Sequence, residues 1–267
     1  MFSLQSFCEE QGKHAMTSKS LDRPSAAPRD LSEAIRASEE VGALFADDDG
    51  MLPSLKVSLA DKVADYLREA IFRGKLAPGE QLREVPLSRI LGISRGPIRD
   101  ALSRLEREGL VTIPRNGRTI VARLTREDFD EVYSLRLGLE RVAMQYAIRN
   151  ATPADLDEMQ HIVNDMLEQV HDGISEKDAA DLDMRFHDAL YQASRHKRLQ
   201  AAWAVLRPQI YIFLLSRNVA DSDFRTQMVR HQEIVDVIRA QDLPGAMEVI
   251  EVHLQYAYNR IIRMYSK

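Results

Sequence analysis

Between Ile93 and Val111 the chain carries a helix signal with two unlike faces. Ile98, Ala101, Leu102 and Leu105 recur at spacings of three and four, so they share one stripe that needs a core to pack on. Arg95, Arg99 and Arg104 fall off that stripe, near what the pattern reads as the first half of the helix. Ser94 is placed to cap the start, Pro97 is tolerated in the first turn, and Gly109 suits a left-handed stop. An amphipathic helix with arginines near its N-terminus has the form needed to enter a DNA major groove.

The flanking sequence completes a recognisable unit. Leu59 to Phe72 is helical in pattern, with Leu59, Val63, Tyr66, Leu67, Ala70 and Ile71 on one face. Lys75 to Glu80 reads as a turn. Val85, Leu87, Ile90 and Leu91 predict a second short helix, which Gly92 breaks before Ser94; helix, tight turn, helix is the helix-turn-helix arrangement. Downstream, the β-branched runs 110–113 and 119–121 flank Asn116-Gly117, a strong hairpin signal. A two-stranded wing is therefore expected, with Arg115 and Arg118 at its tip. From Leu55 to Arg123 there are 14 lysines and arginines against 8 acidic residues, in a chain whose formal net charge is −5. A basic island in an acidic protein is the footprint of phosphate contact. A winged helix used for protein contact, its arginines merely solvated, is the alternative.

The run Leu82-Arg83-Glu84, Leu87-Ser88, Leu91 to Leu102, Leu105-Glu106 and Glu108 to Val111 resembles the winged helix-turn-helix of the GntR family of bacterial transcription regulators. The resemblance implies that Arg95 and Arg99 contact operator bases or nearby phosphates and that the Asn116-Gly117 wing reaches the minor groove. The DNA-facing set it suggests is Arg83, Ser94, Arg95, Gly96, Arg99, Arg104, Asn116, Gly117 and Arg118. Some members carry a DNA-touching arginine in the second helix; here Val85 stands there, followed by Pro86, leaving Arg83 or Arg89 to substitute.

Length bounds the rest. The 267 residues suffice for one large or two modest domains. There is no apolar run near membrane-spanning length and no continuous hydrophobic stretch of a signal peptide at the N-terminus. The single cysteine, Cys8, cannot form an internal disulfide, which fits a reducing cytosol, and it sits in a tail unsuited to catalysis. A cytoplasmic location and no membrane partner are expected. Residues 1–54, with Pro24, Pro28 and the acidic run Asp47-Asp48-Asp49, read as a poorly ordered extension. Within it, Leu31, Ile35, Val41 and Leu44 allow a short amphipathic helix.

The fold expected is mainly α: a winged helix-turn-helix of three helices plus a β-hairpin wing over 55–123, a linker at 124–126, and an all-α antiparallel six-helix bundle over 127–265. Helices are expected near 126–149, 153–171, 176–194, 197–217, 222–240 and 244–265. Thr125 with Asp128 and Ser175 with Asp178 read as capping boxes, and Thr152-Pro153 as a cap before proline at the first helical position.

The bundle holds a second constellation. Asp183 and His187 are four apart, on a face shared with Ala179, Ala180, Phe186 and Leu190. His231 precedes Ile234, Val235 and Ile238; His253 lies among Val249, Ile250, Tyr256 and Ala257. One carboxylate and three imidazoles thus point inward from three helices. Such a set suits a divalent transition metal, and bundle cores commonly hold one. Spacing alone leaves equally open a group of hydrogen-bonded core histidines; His161, His171 and His196 read as peripheral.

Residues 127–265 are similar to the FCD effector domain of the FadR subfamily, in its shorter VanR-like variant. That resemblance implies Asp183, His187, His231 and His253 as ligands of zinc, nickel or manganese, with a small carboxylic acid bound beside the ion. It also makes fatty acyl-CoA a poor candidate ligand. Arg136 holds a position where the family often has an arginine, with Val132, Leu135 and Leu139 around it. It suits a bidentate carboxylate clamp, or equally an ion pair with Glu140 at i+4. Arg217 and Asn218, at a helix end, are further effector candidates. The whole reads as a non-enzymatic, ligand-responsive regulator, a homodimer on a palindromic operator that represses until its effector arrives. A direct sensor of the ion itself, or a metal-dependent hydrolase or lyase fused to a DNA-binding module, are the alternatives.

Overall fold

The computed structural model describes residues 58–114, 117–215 and 223–265. The N-terminal extension expected over 1–54, the wing-tip residues Arg115 and Asn116, and the effector candidates Arg217 and Asn218 lie outside the described residues.

The first unit comprises α1 (Leu59–Phe72), β1 (Gln81–Leu82), α2 (Glu84–Leu91), α3 (Arg95–Arg107), β2 (Val111–Thr112) and β3 (Thr119–Val121). Its core is the pair of apolar stripes read from the sequence: Val63 and Leu67 of α1 meet Ile98, Ala101 and Leu105 of α3, with Leu76, Leu87 and Val121 closing the cluster. Leu67 and Leu105 are fully buried, and each such leucine contributes about 1.5–3 kcal/mol by leaving water. Ser58 caps α1 by accepting the Asp61 N–H.

Helix α3 ends in a Schellman turn. Gly109 adopts φ +69°, its N–H bonds Glu106 O at 3.0 Å, and Leu110 N–H bonds Leu105 O at 2.9 Å. Two details differ from expectation. Ser94 has the extended backbone of an N-cap but makes no side-chain capping bond. Arg104 sits in the last turn of α3 rather than its first half, where it pairs with Asp61 of α1.

The sheet also differs. Among the described residues it has three strands, in order β1-β3-β2, both pairings antiparallel, with Gln81 opposite Ile120 and Val111 opposite Val121. The hairpin alone was expected. A two-residue strand offers no alternation to detect, so β1 exists only because β3 presents an edge to it.

The second unit is α4 (Arg126–Asn150), α5 (Pro153–Asp172), α6 (Glu176–Ala193), α7 (Lys197–Leu215), α8 (Asp223–Arg239) and α9 (Leu243–Tyr265). Helix α4 packs on α9, α7 and α6, while α8 bridges α5 and α9. Capping boxes start α4 at Thr125/Asp128 and α5 at Thr152/Asp155, the latter with Pro153 in its first turn. At Ser175 the hydroxyl accepts the Asp178 N–H and donates to the same residue's carboxylate at 2.5 Å, so the cap forms without a full reciprocal box.

The units touch through α7. Tyr211 lies 4.5 Å, centroid to centroid, from Phe72 at the end of α1, and Ile212 packs against the winged-helix core. Gln209 sits under Gly109, where an added Cβ would meet its amide at 2.7 Å. Leu124 of the expected linker packs on the bundle core. No helix among the described residues is long and apolar enough to cross a membrane.

Candidate metal centre and nucleic-acid interface

Three helices of the bundle aim imidazoles at one point. His187 comes from the buried face of α6, His231 from α8 one turn before Ile234 and Val235, and His253 from α9 between Ile250 and Ala257. One ring nitrogen from each lies within 4.8 Å of the others, and all three side chains are buried. His253 Nε2 is 3.4 Å from His187 Nε2. Asp183, one turn before His187, borders this group without closing it. Its Oδ1 is 3.6 Å from His231 Nε2, and its Oδ2 is 3.9 Å from His187 Nε2 and 3.8 Å from Arg136 Nη2.

The donor chemistry fits a divalent transition metal. Burial holds His231 below the usual imidazole range, with the nearby His187 and Arg136 adding to the effect and Asp183 opposing it. Burial, then His231 and His187, push His253 well below that range. Neutral imidazole is the form that ligates. His253 Nδ1 has no hydrogen-bond partner, an expense a core histidine normally avoids. The 3.4 Å between the two Nε2 atoms matches the roughly 3.4 Å that two nitrogens about 2.05 Å from one tetrahedral zinc must keep.

Behind the histidines stands a residue whose part the sequence reading missed. Glu140 of α4 is fully buried, with Oε2 2.9 Å from His187 Nδ1 and Oε1 accepting Arg136 Nε–H at 2.6 Å. Burial alone would raise its pKa, but Arg136 and His187 outweigh that and hold it below the usual carboxylate range. A carboxylate on the far nitrogen of a histidine fixes the ring's tautomer and direction. The available signal was the run Arg136, Glu140, Ala143, Ala147, which puts Glu140 on the inward stripe of α4.

Of the two sequence readings of Arg136, the structure bears on the ion pair. The ion pair with Glu140 forms, yet Arg136 Nη2, buried, keeps no hydrogen-bond partner. Its guanidinium carbon lies 5.6 Å from the Tyr133 ring and 5.9 Å from that of Trp203. Trp203 stacks on Tyr191 at 4.5 Å, and the buried Tyr191 hydroxyl likewise lacks a partner. Leu135, expected beside Arg136, is 54% exposed instead, and Leu139 is half-buried. His161 and His171 are exposed and His196 is half-buried, peripheral as read.

The other surface belongs to the winged unit. Arg95 and Arg99 stand exposed on the first turns of α3, and both bond Glu84 at the start of α2. Ser94 and Gly96 beside them are exposed, and an added Cβ on Gly96 meets nothing within 4 Å. Arg83, exposed, donates to Gln81 at 2.8 Å. Gly117 turns the wing at φ +71°, with its N–H on Pro114 O at 2.8 Å, and Arg118 follows it, exposed. Val85, in the place of the family's second-helix arginine, is 43% exposed. Arg104, held by Asp61, lies apart from this group, toward α1.

Residues 59–121 match the model of the gntR family of bacterial regulatory proteins, and residues 131–256 match the FCD domain. The chain belongs to the GntR family. Its architecture is of the FadR type, a GntR winged helix joined to an FCD domain. It is 27% identical to the transcriptional regulator YdhC of Bacillus subtilis over 193 residues, covering 72% of this chain and 86% of that protein. It is 28% identical to the gluconate operon transcriptional repressor of the same organism over 195 residues, 70% of this chain and 78% of that one. The solved McbR of Escherichia coli shares the fold, with 23% identity and a TM-score of 0.66 over 79% of this chain and all of the other. This GntR protein is therefore a DNA-binding transcriptional regulator, and its kinship is with regulators rather than enzymes.

Proposed function

We propose that this regulator senses a small carboxylic acid at a metal centre in its FCD domain and adjusts its grip on operator DNA accordingly. The observation that carries the reading is the buried trio His187, His231 and His253 beside an Arg136 whose Nη2 makes no hydrogen bond, its nearest acid being Asp183 at 3.8 Å. The three histidines, with Asp183 at their border, would hold zinc, nickel or manganese. When bound, such an ion supplies a Lewis-acidic place for one oxygen of the acid. Glu140 orients His187, Arg136 Nη2 is available to the acid's second oxygen, and Trp203 and Tyr191 wall the site from water. Repression relieved by the acid is the mode proposed.

Helix α7 supports a route from site to DNA. Trp203 lies 6.2 Å from His187, centroid to centroid, and Tyr211 and Ile212 of the same helix rest on the winged unit. Pro208 stands between them, where its missing N–H weakens the helix. An effector changes DNA affinity only by its differential affinity for two seatings of such an element. A symmetric dimer would place two α3 helices on a palindrome through Arg83, Ser94, Arg95, Gly96, Arg99, Gly117 and Arg118, with Asn116 at the wing tip.

Elemental analysis of purified wild-type protein and His231→Ala tests the centre. Metal in the first and its loss in the second is expected; equal content overturns the assignment. Operator binding is then measured with and without chelator at fixed concentrations of a panel of small carboxylic acids. Release by an acid only when metal is present supports the acid sensor. Release by chelator alone, whatever the acid, favours a direct sensor of the ion.

A further inference from the structure

Two arginines of α3 converge on a single acid. Glu84, the first residue of α2, accepts from Arg95 Nε and Nη2 through Oε2, at 3.1 and 2.9 Å. It accepts from Arg99 Nε through Oε1 at 3.1 Å, and from Arg99 Nη2 through Oε2 at 3.3 Å. The arrangement is costly on a surface meant for DNA. A carboxylate repels every phosphate and cancels half the charge of the arginine pair. As a mere tether it gains little, because exposed ion pairs add almost nothing to stability.

The geometry of the bonds supplies a reason. Both guanidiniums meet Glu84 side-on, through Nε–H and one Nη2–H. That leaves each one's end-on pair, Nη1–H and the second Nη2–H, turned away from the acid, and two parallel N–H groups are what a guanine O6/N7 edge accepts. Arg95 and Arg99 are also one helical turn apart, where like charges repel and splay. The acid between them holds the spacing.

We propose that Glu84 is a positioning residue for sequence readout. It presents Arg95 and Arg99 as two aimed forks for base edges and withholds them from indiscriminate phosphate contact. This rests on the reading that Arg95 and Arg99 face DNA.

The test uses the full chain. Sites are selected from a random duplex library with wild-type protein, and affinities are then measured for a selected duplex and an unrelated duplex of equal length over a salt series. In Glu84→Gln, the unrelated duplex is expected to tighten by about two- to fivefold, its log–log salt slope to steepen by about one, and the ratio of specific to non-specific affinity to fall by about tenfold. Selection repeated with this variant should relax at a guanine position. Glu84→Asp keeps the charge but is too short to span both arginines; it should lose part of the ratio without tightening on unrelated DNA. An unchanged ratio in both variants, or an equal loss on both duplexes with a lowered melting temperature, overturns the proposal, since a tether would act that way. Arg95→Ala separates the two layers. If it binds and selects like wild type, the DNA-facing reading fails and takes the proposal with it. If it loses the selected site while both Glu84 variants keep the ratio, only the role of Glu84 fails.

Discussion

Glu140 shows how much one side chain can organise. It is buried between a guanidinium and an imidazole, and neither partner has water to replace it. Glu140→Ala strands the Arg136 charge in the core. A loss of about 3–5 kcal/mol is expected, the usual result of breaking a buried pair by removing one side, and urea denaturation with the metal chelated measures it. In protein that remains folded, metal affinity should fall about 10- to 100-fold, read by competition with a chromogenic chelator. The sequence placed Glu140 one helical turn from Arg136, and that ion pair was legible. Its contact with His187 was not, because the two residues lie on different helices and no local spacing encodes a distance between helices.

At the scale of elements, most boundaries were written in local chemistry. Helices α4 and α5 start where Thr125 and Thr152 find their aspartates three residues on, a signal carried within four residues. Thr152→Ala should cost about 1 kcal/mol in a denaturation midpoint, through one cap alone. The end of α3 depends on both local and distant structure. Gly109 is left-handed at φ +69°, and Gln209 of α7 lies against the space a methyl would fill. Gly109→Ala should destabilise by about 1–2 kcal/mol from backbone conformation, with Gln209 displaced as well. Equal midpoints for wild type and variant would mean the turn relaxes freely. Strand β1 was illegible for the opposite reason: two residues carry no periodicity, and only pairing with β3 makes them a strand.

In the whole molecule, the two cores meet at Phe72, which packs against both, and Tyr211 is its counterpart on α7. Tyr211 also donates to Asp181 of α6 at 2.5 Å, on the helix that carries His187. Tyr211→Ala should leave operator affinity within a few-fold of wild type without effector, yet shrink the effector-induced change toward one. Anisotropy titrations with and without the acid would show it, and full coupling in the variant would rule α7 out as the route. Metal removal acts on the same scale. A ligand that binds only the folded bundle, at a hundred times its Kd, stabilises by about 2.7 kcal/mol, so chelation should lower the thermal midpoint of wild type and leave that of His231→Ala unmoved.

The sequence by itself determined which stripes are apolar, where helices begin and stop, and that Arg95 and Arg99 stand off the apolar stripe at the start of α3. These are properties of neighbours within a few residues, and periodicity, capping and glycine conformation act at that range. It also placed three histidines and an aspartate on inward faces, one helix at a time. Only the tertiary structure decided that His187, His231 and His253 close within 4.8 Å while Asp183 stays at their border. It likewise decided that Glu140 backs His187 and that Glu84 gathers Arg95 and Arg99. Those contacts are set by how helices are rotated and spaced against one another. That packing is a sum over the whole core, and no short stretch of chain contains it.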